Sequence, residues 1–236
     1  MSVCAIVPAG GLGTRMGGTV PKQFQNLNGK PILYYTLKAL QDSKLISELI
    51  LVVPKKEYDN ACDQWLGKPA IVTKVIVGGL KRQDSVYNGF CEVSPQKSEI
   101  VLVHDGVRPF LSHKMIRETI NAAREYGAAI TAIPVHDTIK RVDASGLVSE
   151  TVERENLWRV QTPQAFQYKI LKEAFKKANS ENFYGTDEGT LIEHFGAPIK
   201  VIEGSEKNIK ITRPEDLELG ETYICLLYTS PSPRDA

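Results

Sequence analysis

The sequence predicts an α/β fold in which a mostly parallel sheet carries helices on both faces and a β-arm projects from it. Three features predict it. Short β-branched runs at residues 4–7, 49–53, 74–77, 100–104 and 129–134 alternate with stretches of helical apolar spacing at 32–42, 58–67, 82–91 and 113–126, the pattern of βαβ units. Two of the strands, those ending at Val7 and Val103, run into polar or Gly-rich turns. A polar hairpin then interrupts the alternation after residue 134. At 236 residues the chain suffices for one well-buried domain with an appendage, not for two full-sized enzyme domains.

Taken in order, the first strand leads into a Gly-rich loop from Pro8 to Lys22, and the fifth strand of the alternation is complete by Pro134. From 135 to 166 the pattern changes to Asp137-Thr138-Ile139-Lys140-Arg141-Val142, a turn at 143–146 and a second run at 147–153. This reads as a hairpin too polar for a central strand pair, hence an arm able to pack on a second subunit. Helical segments follow at 170–178 and 187–194, then a strand at 200–203 and the run Ile209-Lys210-Ile211. The last helix should start near Pro214, where proline suits the first turn and Glu215 and Asp216 suit the helix dipole. Residues 225–236 break the helical pattern, carry Ser-Pro repeats, and are read as a disordered or non-native tail.

Apolar residues make up 42% and charged residues 24%, ordinary for a globular domain and unlike a disordered chain or a disulfide scaffold. A net charge of +1 supplies no broad basic field, so neither nucleic acid nor an anionic membrane is an expected partner. An anionic ligand must be met by a local cluster. The apolar runs are strand-sized, well short of the roughly 20 residues of a membrane helix, and no signal-like segment opens the sequence, so the expected compartment is the cytoplasm. Cys4, Cys62, Cys91 and Cys225 are widely separated, mostly in apolar runs, and are expected to be buried reduced thiols.

The loop Pro8-Ala9-Gly10-Gly11-Leu12-Gly13-Thr14-Arg15-Met16-Gly17-Gly18 follows the first strand directly. Glycines there let backbone N–H groups turn toward a phosphate, although glycine clusters also simply make tight turns. Arg15 and Lys22 add two cations, which a triphosphate needs where its charge builds up. The spacing lacks the Gly-Lys-Ser/Thr of a P-loop, and no acidic residue ends the second strand at Val53 as a dinucleotide fold requires.

The second turn is His104-Asp105-Gly106-Val107-Arg108-Pro109-Phe110. Asp105, at the end of an apolar strand, is placed to hold magnesium (Mg2+) against phosphate oxygens, with Arg108 meeting a second anion. The alternative is that Asp105 serves the turn and Arg108 pairs with it. His104 is read as structural. Between the two turns, Gly79 and Ser85 are suited to read a base edge and Arg82 to counter phosphate charge, while Asp84 or Ser85 would equally serve as a helix cap.

The ordered set Pro-Ala-Gly-Gly-x-Gly-x-Arg-Met, Pro21-Lys22-Gln23, Gly-Gly-x-x-Arg-x-Asp-Ser-Val, His-Asp-Gly-Val-Arg-Pro, Asp137-Thr138-Ile139-Lys140, Gln161-Thr162-Pro163-Gln164, Gly185-Thr186-Asp187-Glu188 and Asn208-Ile209-Lys210-Ile211-Thr212-Arg213-Pro214 resembles the 2-C-methyl-D-erythritol 4-phosphate cytidylyltransferase family over about residues 3 to 224. The resemblance implies a Rossmann-like domain of the nucleotide-diphospho-sugar transferase type over residues 1–224, a homodimer made through the arm, and Mg2+ as cofactor. It implies transfer of a cytidylyl group from CTP to a polyol phosphate with release of pyrophosphate. The catalytic set it implies is Arg15, Lys22, Arg154 and Lys210, with Asp105 on the metal. Pro8, Ala9, Gly10, Gly11, Gly79, Arg82, Ser85 and Gly106 would surround the nucleotide. Arg108, Thr138, Arg154, Thr186 and Lys210 would bind the acceptor, Thr138 from the arm of the other subunit. Two positions depart from the family: the loop has Gly10 where many members have alanine, and Leu80 stands where an acidic residue is frequent.

The implied nucleophile is a phosphate monoester, ionised near neutral pH, so no general base is required to create it. Catalysis then lies in offsetting repulsion between two anions and aligning them. A cytidylyltransferase for another polyol phosphate, such as ribitol 5-phosphate, fits the same scaffold; Val152-Glu153-Arg154 before Gln161-Thr162-Pro163-Gln164 favours the methylerythritol enzymes. A non-catalytic nucleotide sensor is the reading from another class, and so many cations aimed at a phosphate argue against it.

Overall fold

The structure, a computed structural model, describes residues 2–10 and 21–229, without the side chains of 227–229. Strand β1 (Ser2–Pro8) is followed by the two-residue strands β2 (Asn26–Leu27) and β3 (Lys30–Pro31), then α1 (Ile32–Asp42), β4 (Glu48–Val53), α2 (Tyr58–Trp65), β5 (Val72–Val77), α3 (Arg82–Cys91) and β6 (Ser98–Val103). Helix α4 (His113–Tyr126) and β7 (Ala128–Pro134) precede the arm strands β8 (Ile139–Val142) and β9 (Val148–Val152). The chain continues through β10 (Trp158–Gln167), α5 (Tyr168–Ser180), α6 (Glu188–Phe195), β11 (Lys200–Glu203) and α7 (Pro214–Thr229).

Seven strands form one sheet in the order β11-β7-β10-β6-β1-β4-β5. All neighbours are parallel except those of β10, which runs antiparallel to both β6 and β7. Side chains alternate across a strand, so β1 sends Val3, Ala5 and Val7 into one core and Cys4 and Ile6 into the other. Leu33 and Leu37 of α1, Trp65 of α2 and Ile116 and Ile120 of α4 close the first core. Val86 and Phe90 of α3, Phe175 of α5 and Leu191 and Ile192 of α6 close the second. Helices therefore cover both faces of a mostly parallel sheet, as predicted. A third cluster, around Leu27, Ile32, Val107, Ile211 and Ile224, docks α7 beside the start of α1.

Local chemistry sets the ends of the helices. Ser112 Oγ accepts the Met115 N–H to start α4, and Asp187 does the same for Thr190 at α6, which stops at Gly196 in the left-handed conformation. Helix α7 begins at Pro214 as predicted. Asp216 Oδ2 accepts from Thr212 N, Thr212 Oγ1 and Arg213 N at 2.8, 2.8 and 2.9 Å, satisfying donors that the helix leaves open.

Several expectations are corrected. The arm was expected to extend to residue 166, but Trp158–Gln167 is the strand β10 and lies between β6 and β7. Its Gln161-Thr162-Pro163-Gln164 segment, counted with the polar arm, carries proline and polar residues that are rare inside a strand. The sheet absorbs them by a register shift between Val160 and Gln164, and their side chains are buried. What projects is the β8–β9 hairpin, a separate two-stranded sheet. The start of the supposed tail continues α7 to Thr229, and residues 230–236 lie outside the described residues. Of the four cysteines only Cys4 is buried; Cys62 is half-buried, and Cys91 and Cys225 are exposed on the outer sides of their helices. The run Ile209-Lys210-Ile211 forms no strand; it is tied to the turn after β6 by the Ile211 N–H, which donates to the Val107 carbonyl at 2.9 Å. Among the described residues no helix is long and apolar enough to cross a membrane.

Candidate active site

The carboxyl ends of β1, β5 and β6 all open on the same side of the sheet, where ligands bind in folds of this class. There Pro8, Ala9 and Gly10 leave β1, and the Ala9 N–H donates to the Val52 carbonyl at 2.8 Å. Gly106 packs against them: a Cβ added to it would lie 3.2 Å from Leu33 Cδ1, 3.3 Å from Ala9 Cβ and 3.4 Å from the Pro8 carbonyl oxygen. Ser85 closes the other wall, its hydroxyl accepting the Gly79 N–H at 3.1 Å and donating to the Lys81 carbonyl at 3.1 Å. A Cβ on Gly79 would overlap Asp84, so only glycine allows the turn this close to α3. The six residues expected around cytosine and ribose, Pro8, Ala9, Gly10, Gly79, Ser85 and Gly106, are thus brought to one cleft. Gln23, directly after Lys22, is buried and donates its amide to the Ala9 carbonyl, holding the far end of the Gly-rich loop to β1. Gly11 and Arg15 lie outside the described residues.

The charged half of the site adjoins this cleft. Asp105 is buried at the end of β6, with Lys210 Nζ 2.9 Å from Oδ2, Arg108 Nε 3.4 Å from Oδ2 and Arg82 Nε 3.3 Å from Oδ1. Burial alone would raise the Asp105 carboxyl, but Lys210, Arg82 and Arg108 outweigh it and hold it well below the usual carboxylate range. Arg108 is itself buried and gives a second donor to the Asn208 carbonyl at 2.7 Å, while burial lowers its affinity for the proton. Arg82 also reaches Glu188, Nη1 to the two carboxylate oxygens at 2.8 and 2.9 Å. Arg108 thus pairs with Asp105, as one of the two readings of the turn has it, and also lines a cavity.

His104 is fully buried, and burial pushes it down to about 4, so its ring is neutral near pH 7. Its Nε2 donates to the Arg108 carbonyl at 3.1 Å, and Nδ1 accepts from the Thr162 hydroxyl at 3.0 Å. Thr162 Oγ1 in turn accepts the Asp105 N–H at 3.1 Å. The histidine braces the 104–108 turn, the structural part read for it from sequence. Thr162 was quoted in a motif but given no part, as were Gln161, Gln164 and Asn208. Asn208 donates to Gln161 Oε1 and the Thr162 carbonyl at 3.2 and 2.8 Å, placing the segment that carries Lys210.

A cavity lined by Arg82, Asp105, Arg108, Thr162, Thr186 and Lys210 lies over this cluster. Asp187 lines it too, so three cations against two carboxylates leave a net positive, cationic pocket, with the exposed Thr186 at its rim, beside a glycine-walled cleft. Thr138 and Arg154 are elsewhere: both are exposed on the arm, and the Arg154 guanidinium donates to the His136 carbonyl of the same hairpin.

Residues 3–225 match the 2-C-methyl-D-erythritol 4-phosphate cytidylyltransferase family. The chain is 48% identical to the protein of that name from Syntrophus aciditrophicus (strain SB), over 94% of this chain and 95% of the relative. It is 47% identical to the one from Clostridium botulinum (strain Eklund 17B / Type B), over 94% of this chain and 99% of the relative. Among solved structures, the 4-diphosphocytidyl-2C-methyl-D-erythritol synthase of Anaerococcus prevotii DSM 20548 superposes with a TM-score of 0.81 at 34% identity, covering 95% of this chain and 98% of that one. The Francisella tularensis 2-C-methyl-D-erythritol 4-phosphate cytidylyltransferase gives 0.81 at 32% identity, covering 94% and 99%. A glycine-walled cleft beside a buried carboxylate ringed by three cations, on a chain this similar over nearly its whole length, leaves one assignment: the chain belongs to the 2-C-methyl-D-erythritol 4-phosphate cytidylyltransferase family.

Proposed function

We infer that the chain transfers the cytidylyl group of CTP to 2-C-methyl-D-erythritol 4-phosphate, giving 4-diphosphocytidyl-2-C-methyl-D-erythritol and pyrophosphate, a step of non-mevalonate isoprenoid biosynthesis. The observation that carries this reading is the junction of the two half-sites, where Gly106 of the nucleotide wall is the residue next to Asp105 of the cationic pocket. A phosphate oxygen of the acceptor attacks the α-phosphorus of CTP, a new P–O bond forms, and the bond to pyrophosphate breaks with its electron pair. The attacking oxygen is already ionised, and the neutral His104 is occupied at both nitrogens, so no side chain needs to remove a proton.

Within this reading Lys22 and Arg15 meet the triphosphate, and Lys210 meets the acceptor phosphate where the two anions converge. Arg108 holds the Asp105 side of the pocket, and Thr186 offers a hydroxyl at its rim. Asp105 is a single ionised carboxylate, and among the described residues no group of three or more His, Cys, Asp or Glu side chains stands ready to hold a metal. Magnesium takes one or two carboxylates and completes its shell with substrate phosphates and water, so one carboxylate suffices, and the ion would share Asp105 with the Arg82, Arg108 and Lys210 side chains that meet its oxygens. Bound there by Asp105, the ion would neutralise charge on the triphosphate.

Arg154 and Thr138 are assigned to the acceptor of a second subunit, in a homodimer made through the arm. Exposed Val142, Leu147 and Val148 on the hairpin support this, being apolar side chains with no core beneath them. The partners are then CTP, the polyol phosphate and a second copy, with no nucleic acid or membrane, in the cytoplasm. The test is incubation of the purified protein with radiolabelled CTP, Mg2+ and either methylerythritol 4-phosphate or ribitol 5-phosphate. Labelled product with the first acceptor is expected; turnover with ribitol 5-phosphate alone, or none with either, contradicts the assignment.

A further inference from the structure

Glu188 is a carboxylate that the transfer itself does not use. It is the first residue of α6, its side chain is 1% exposed, and Arg82 is the cation that meets it. Arg82 is the first residue of α3 and bridges two carboxylates, Glu188 and Asp105. It takes Oδ1 of Asp105, while Oδ2 holds Lys210 Nζ at 2.9 Å and Arg108 Nε at 3.4 Å.

The two helix starts it joins belong to different halves of the site. Helix α3 carries Ser85 of the nucleotide wall, and α6 follows Thr186 at the rim of the cationic pocket. Neighbouring bonds reinforce the junction. Gln83 donates to the Phe183 carbonyl at 3.0 Å and accepts the Gly185 N–H at 2.9 Å. From β10, Gln164 donates to Asp187 Oδ2 at 2.7 Å and accepts the Gly189 N–H at 3.1 Å.

We propose that Glu188 is a positioning residue: by gripping Arg82 it confines that guanidinium to Oδ1 of Asp105, leaves Oδ2 to Lys210 and Arg108, and keeps the nucleotide and acceptor halves of the cleft in register. The physical reason is the shape of the guanidinium. Released from Glu188, its fork would take both oxygens of the remaining carboxylate and displace the ammonium, because the bidentate pair is the stronger one. This proposal rests on the transfer reaction assigned above.

The test is a kinetic cycle on the full-length protein with both substrates. Glu188→Gln keeps the shape and removes the charge, and is expected to lower kcat about tenfold or more through misplacement of Lys210, with the CTP KM within about twofold of wild type. Once Arg82→Gln is in place, adding Glu188→Gln should change kcat by less than about twofold, since the effect acts through Arg82. Arg82→Lys leaves Glu188 a counter-charge but cannot bridge, so it should show the kcat loss even where Glu188→Gln fails to fold. The proposal is overturned by a folded Glu188→Gln or Arg82→Lys protein with wild-type kcat, by independent losses that multiply in the double variant, or by a loss confined to the CTP KM. A wild-type protein that releases no pyrophosphate overturns the assigned reaction and this proposal together; an active wild type with unaffected variants overturns this one alone.

Discussion

Strands β6 and β9 are nearly equal in length and opposite in surroundings. In β6 every residue but Glu99 is buried, and the strand delivers Asp105 into a ring of cations; in β9 no side chain is buried, and its neighbour is β8 alone. The cleft is thus a product of one chain's core, held wherever that core is intact. The arm has no core of its own, and the function proposed above gives Arg154 and Thr138 their task against a second subunit. Folding, nucleotide binding and acceptor binding should separate along this line.

The largest contrast is in stability. Phe166→Ala removes a fully buried ring of β10 and should cost about 3–5 kcal/mol, whereas Val148→Ala on the arm should stay within about 0.5 kcal/mol for the monomer. Urea unfolding measures both; similar losses would erase the distinction. Next comes the chemistry of the cleft. Lys210→Ala and Lys22→Ala should each lower kcat about a hundredfold, on the order of 3 kcal/mol, with the far-UV spectrum unchanged. Near-wild-type turnover in a folded variant would remove that lysine from the transition state.

Arg154→Ala should act on one substrate only, raising the acceptor KM about tenfold and leaving CTP affinity, measured by calorimetry, unchanged. A weakened CTP affinity would place Arg154 in the nucleotide half. The smallest effect belongs to the start of α7. Burial opposes ionisation of Asp216, but hydrogen bonds from Thr212 and Arg213 win and lower its carboxyl. A lowered carboxyl stabilises the fold above the ordinary carboxylate range, and the gain is lost as pH falls through the depressed value. Asp216→Asn should therefore cost about 1 kcal/mol at neutral pH and nothing in strong acid, by thermal unfolding. A pH-independent difference would assign the effect to something other than the charge.

Sequence pattern located most of the sheet because its central strands β1, β4 and β6 are apolar on both faces, and α1, α3, α4 and β11 fall on the predicted residues. It missed β10 for a physical reason: Gln161, Thr162 and Gln164 are polar inside the sheet, satisfied by Asn208, His104 and Asp187, partners distant in sequence. The same long-range pairing hid Glu188, whose partner Arg82 lies 106 residues earlier. The glycine wall was legible because its residues sit in turns directly after strands. The pairing of Arg108 and Asp105, three residues apart, was legible as one of two alternatives, and it is the one seen in the structure, with a cavity over it.

The division between cleft and arm is tested most directly by mixing defects. Arg154→Ala and Lys210→Ala chains, each poorly active alone, are to be co-expressed and the mixed dimer isolated. If the arm completes the partner's cleft, one of its sites combines an intact Lys210 with an intact Arg154 and the other carries both defects, so transfer from CTP to methylerythritol 4-phosphate should return well above either parent. A mixed dimer no more active than the mean of its parents would contradict the account, because the arm would then serve only its own chain.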